Sequence, residues 1–200
     1  MARYFCRVCD SNNGWVVPSG AAVETRYSHH GNFRFAYEEW NFNPALLVNG
    51  WQYGWIEGFK PGPGRRRITC GGPHDVAMYV RRNGQCFFVG KIMGCEVLEF
   101  QQHVPPQHYP GNLAVDANNV GASVVVNGHT WFVNPVINNP KMLAYQNPAP
   151  GPLANVRFRP SDAKLCKTPT SIPISYTRYG ALLVDNDVAR KSLWQSLSCP

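Results

Sequence analysis

Stretches with a helical period are scarce along this chain, and short strand-like segments are punctuated by Gly and Pro. "YFCRVC" near the N-terminus alternates and reads as a first strand. "GWQYGWIEGF" reads as another strand. "HDVAMYVRRNGQCFFVGKIMGCEVLEF" reads as a β-hairpin followed by a further strand, with its turn at Asn83-Gly84. "GASVVVNGHTWFVNP" reads as a second hairpin turning at Asn127-Gly128. "NVRFRPSDAKL" is a strand entering a polar turn, and "TRYGALLVD" is a late strand. "WNFNPALLVNG" predicts one short helical turn after Pro44, closing at Asn49-Gly50. The best helix is "NDVARKSLWQSL", with Asp187 near its N-terminus and Val188, Leu193 and Leu197 on its apolar side. "AVETRYSHHGNFRFAY", "KPGPGRRR" and the Pro-rich stretches at 104–110 and 147–152 read as loops.

The expected fold is therefore mainly β, in the α+β sense: a small barrel or sandwich with a few short flanking helices. Residues 1–200 read as a single domain, with 110–150 as a candidate insertion. No repeat of 20–50 residues is present.

A net charge of +7 changes the picture, because it favours a polyanionic partner over a neutral one. No apolar run reaches 18 residues, and "MARYFCRVCD" lacks a signal-type apolar region. Seven cysteines is an odd count with scattered spacing, which predicts reduced thiols and a cytoplasmic protein. The alternative for those cations is a plain solvated surface.

Site chemistry is sparse. Cys6 and Cys9 form a C-x-x-C pair, and Cys70 with His74 could complete a zinc set. A strand would point Cys6 and Cys9 to opposite faces, so buried thiols are the expectation and no metal is assigned. His29, His30, His103 and His108 form no metal-ligand pattern, and adjacent Glu38 and Glu39 make a weak acid/base pair. No nucleotide-binding or hydrolase motif is found. The expectation is a binding module without a cofactor rather than an enzyme. The cations Lys60, Arg65, Arg66, Arg67, Arg81 and Arg82 sit in or beside turns and suit phosphate contacts. Lys91, Arg157 and Arg159 complete the basic inventory.

Three of the six tryptophans lie in "EEWNFNPALLVNGWQYGWIEGF". A strand would put Trp51, Tyr53 and Trp55 on one face, at i, i+2 and i+4. Such a face is either core or a stacking wall for a base, and periodicity by itself favours core.

The segments "YFCRVCDSNNGW", "YEEWNFN", "NGWQYGWIEGF", "FFVGKIMGCEVL" and "NVRFRPSD" together resemble the PUA-like superfamily, close to the EVE and YTH domains. They are similar to the modified-base-binding domains at the N-terminus of bacterial modification-dependent HNH-type restriction endonucleases. The resemblance is strongest over 1–100. It implies a compact β-barrel that holds an extruded modified base, with modified cytosine in DNA as the expectation. It also implies a specificity role in a defence system, beside a nuclease partner or fused domain. The implied cage is Trp15, Tyr37, Trp40, Trp51, Tyr53 and Trp55, with Glu39, Asn41 and Asn43 reading the base edge. No nuclease pattern follows residue 150. The alternatives are a small nuclease and an RNA-binding or modified-RNA reader.

Overall fold

The computed structural model describes residues 1–11, 14–15, 38, 41–43, 46–59, 71–103, 123–126, 129–132, 153–175 and 181–199. The fold is mainly β, as the alternation predicts. Its strands are β1 (Ala2–Arg7), β2 (Leu47–Val48), β3 (Trp51–Gly54), β4 (Gly71–Arg82) and β5 (Gln85–His103). They continue as β6 (Ser123–Val126), β7 (His129–Phe132), β8 (Leu153–Phe158), β9 (Ala163–Ile172) and β10 (Ala181–Leu183). Among the described residues one α-helix, α1 (Val188–Ser196), follows β10.

Eight strands form one sheet in the order β10-β1-β4-β5-β8-β3-β2, with β9 also paired to β5; β6 and β7 pair separately. The long strand β5 organises this sheet. Along one edge it pairs antiparallel with β4. Along the other, its first part pairs with β9 and its second part with β8. The sequence expectation of a hairpin plus a further strand is corrected here. Residues 85–103 are one strand, and register shifts near Gly94 and beyond Val97 let it serve two partners.

The turns follow the chemistry of Asn-Gly. Asn83 and Gly84 carry φ of 49° and 83°, the two positive values a tight type I′ hairpin needs. Asn49 and Gly50 carry φ of 51° and 75°. They therefore join β2 to β3 as a hairpin, and do not close a helix. Among the described residues there, Leu46 makes a turn-type bond to the Asn43 carbonyl at 3.0 Å. The β6–β7 pairing places His129 opposite Val126, as the second hairpin predicts; its turn residues lie outside the described set.

Helix α1 begins where predicted. Asp187 caps it by accepting from the Arg190 amide at 2.8 Å. Its buried side agrees with the expectation at Leu197, which is buried, and at Leu193, which packs partly buried on the same cluster. Val188, 80% exposed, does not belong to it, and Trp194 does, in a cluster with Phe5, Tyr79 and Phe88. Lys91 on β5 reaches this helix end, donating to the Trp194 and Leu197 carbonyls at 3.1 and 2.9 Å. A cation there suits the negative end of the helix. The same burial holds its ammonium below the usual lysine range.

The cysteine expectation is corrected as well. Cys166 on β9 and Cys199 after α1 form a disulfide across 33 residues. Cys6, Cys9, Cys86 and Cys95 stand outside disulfides. Burial pushes the Cys6 and Cys95 thiols well up, as expected of inert core thiols. Strand β1 ends at Arg7, so Cys9 is not on it. Among the described residues no group of three metal-ligating side chains is found, and no helix is long and apolar enough to cross a membrane. His74 is buried beside the Tyr4 ring, 5.5 Å between centroids, and Cys70 lies outside the described residues.

Candidate nucleic-acid interface

Strand β3 ends at Gly54, and that decides where its aromatics go. Trp51 and Tyr53 share the outer face and are half-buried, while Gln52 and Gly54 face inward and are buried. Trp55 falls beyond the strand, is 2% exposed, and gives its indole N–H to Glu57 at 3.0 Å. The expected three-ring face is therefore a two-ring face. The reason is local. Asn41 accepts from the Trp55 amide at 2.7 Å and donates to the Trp55 carbonyl at 2.9 Å. Asn155 does the same for Ile56, accepting and donating at 2.9 Å. Two buried amides thus replace the sheet ladder over residues 55–56 and turn the chain out of it.

The outer face of β3 meets β8 and β5 in register. Tyr53 pairs with Arg157, and Arg157 pairs with Glu96, forming one row across three strands. The Arg157 guanidinium contacts a single Glu96 oxygen through Nε and Nη2, each at 2.7 Å. Those bonds, with a further one to Tyr53, raise its already high pKa. Its carbon lies 4.5 Å from the Trp51 ring centroid. Arg159 is closer, at 3.8 Å. Arg159 also donates Nη1 to the Gly50 carbonyl at 2.9 Å. A Cβ on Gly50 would stand 2.8 Å from that same nitrogen, so the hairpin glycine leaves the space Arg159 occupies. Two guanidiniums therefore share one indole at a sheet surface, a contact worth about 0.5–1 kcal/mol each when exposed. Chemically, this fixes two forked donors beside two aromatic rings. Such forks match phosphate oxygens, and guanidinium or ring faces can stack a base.

The other expected site residues scatter. Trp15 is 6% exposed in the main core, with its indole N–H on the Cys9 carbonyl at 2.9 Å. The Asn41 amide is engaged on Trp55 as described. Asn43 is buried, and its carbonyl accepts from Gln52 at 2.9 Å. Of the cations, Arg82 forms a two-pronged pair with Asp10, both contacts at 2.7 Å. Arg81 is exposed beside the hairpin turn. Tyr37, Glu39, Trp40, Lys60, Arg65, Arg66 and Arg67 lie outside the described residues, as do His29, His30 and His108. Of the implied cage, the described residues bring only Trp51 and Tyr53 together on one surface. Sequence reasoning counted Arg157 and Arg159 as basic residues but missed their role beside Trp51. The alternation in "NVRFRP" placed them on one face; only the β3–β8 register shows which rings they meet. No protein-family model, curated protein or solved structure matches this chain.

Proposed function

We propose that this protein binds nucleic acid through the outer face of β3 and β8. Phosphates would sit on Arg159 and Arg157, and a base would stack at Trp51. The observation that carries this reading is the Arg159 guanidinium held 3.8 Å over Trp51 on a chain of net charge +7. An indole-backed guanidinium has fewer orientations to lose when a phosphate arrives, and its donors other than the Nη1 proton on Gly50 can still face a ligand. A base stacked on such a surface contributes about 1–3 kcal/mol. That is enough to offset the few kcal/mol of unstacking when the base leaves a duplex.

The finer reading, a flipped modified cytosine read in DNA for a restriction system, is supported by the sequence resemblance. Here it becomes one arm of the test. Fluorescence anisotropy would compare plain, methylated, hydroxymethylated and glucosylated DNA with plain and methylated RNA across a salt series. Trp51→Ala and Arg159→Ala are each expected to weaken binding about tenfold, the equivalent of about 1.4 kcal/mol within the range for a lost stacking partner. Affinity should fall steeply with salt as counterions are released. Equal affinity for modified and plain DNA would remove the modified-base claim, and a flat salt response would remove the phosphate claim.

A further inference from the structure

We infer that Glu96 is a built-in competitor for ligand phosphate on Arg157, so that the free protein holds its own interface partly closed. The inference deepens the nucleic-acid reading of this face and rests on it. The two guanidiniums over Trp51 are not equivalent. Arg159 is exposed, and it donates to a neutral backbone carbonyl, that of Gly50. Arg157 is compensated: two of its nitrogens reach one Glu96 oxygen. The cluster therefore sets one carboxylate, that of Glu96, against the two guanidiniums of Arg157 and Arg159.

The pair is also built to exchange. The Arg157 and Glu96 side chains are 35% and 32% exposed, so solvent and solutes reach both. An ion pair this open contributes about 0–1 kcal/mol, which leaves it little advantage over an arriving phosphate. Carboxylate and phosphate also seek the same forked edge of a guanidinium. A strand that places phosphates near both arginines must displace Glu96 or share Arg157 with it, against the repulsion of the carboxylate. A ligand with a single phosphate can use Arg159 and leave the pair intact. Glu96 thus lowers affinity overall, and it lowers it more for ligands that need both arginines.

The test is Glu96→Gln, which keeps the side chain's size and cross-strand position while removing its charge. Binding of a fluorescent single-stranded oligothymidylate is expected to tighten about three- to tenfold at low salt, the effect of one removed like charge near a surface. The slope of log K against log salt should steepen by about 0.7, one more released counterion on a single strand. In an Arg157→Ala background the same substitution should give no gain, because the two act as a pair. Glu96→Thr, which suits a strand, should reproduce the gain should the glutamine variant fold poorly. Unchanged or weaker binding by folded variants overturns the inference. So does a gain that persists without Arg157, since that would be a general charge effect. Wild-type protein that binds no oligonucleotide at all would instead overturn the nucleic-acid reading itself, so the two failures are distinguishable.

Discussion

Asn155→Ala should lower the unfolding free energy by about 2–5 kcal/mol, measured by urea denaturation with an unchanged m-value. Asn155 is 1% exposed, and its amide both accepts from and donates to the backbone of Ile56 at 2.9 Å. Alanine leaves that buried N–H and carbonyl without their partners. Each such group costs about 1–3 kcal/mol, and no water is expected to replace the lost amide where Ile56 is wholly buried. Asn155→Asp should also destabilise. It keeps the acceptor for the Ile56 amide, but an ionised carboxylate has no proton for the Ile56 carbonyl. A loss under about 1 kcal/mol for the alanine variant would mean that residues 55–56 find other partners. These two amides would then not be what ends β3 at Gly54.

Gly90→Ala is the second large expected effect, a loss of about 3 kcal/mol with a lowered Tm. Gly90 is buried in β5 opposite Leu165 of β9. A Cβ built there stands 2.5 Å from the Lys164 carbonyl oxygen and 3.1 Å from the Leu165 Cα. The obstacle is backbone, which cannot swing aside as a side-chain tip can. The β5–β9 pairing must separate locally, at the upper end of the usual range for overpacked sites. Strand β9 also carries Cys166, so a shifted β9 disturbs the disulfide anchor of the C-terminal segment. Thermal unfolding by circular dichroism reads this directly, and a Tm within a degree or two of wild type would contradict it.

What could be read from the sequence depended on whether the deciding contact was local. Asn83-Gly84 needs only its own two positive φ values to make a hairpin, and it was legible. Asp187 caps a helix three residues away, and it was legible too. Asn49-Gly50 has the same chemistry, but Pro44 and the apolar "ALL" before it resemble a short helix, so its hairpin was hidden. Alternation continues through "WQYGW", so the pattern by itself places Trp55 on a strand face. Nothing local shows that Asn41, 14 residues from Trp55, and Asn155, 99 residues from Ile56, take over the ladder there. Spacing alone could not pair Cys166 with Cys199 among seven cysteines. The candidate site shows the same division. That Trp51 and Tyr53 share a face, and that Arg157 and Arg159 share one, follows from a period of two. That the two faces are the same surface follows only from the β3–β8 register. The six-ring cage implied by the resemblance needed Trp15 and Trp55 at a surface, and the fold uses both as core.

The most direct measurement of the central claim is photo-cross-linking of a 5-iodouracil-substituted oligonucleotide to the whole protein, with mass spectrometry of the cross-linked peptides. The expected result is cross-linking at Trp51 or Tyr53, lost in Trp51→Ala and Arg159→Ala proteins that retain the wild-type fold. Cross-links confined to segments outside 46–59 and 153–163, and unaffected by either substitution, would contradict it.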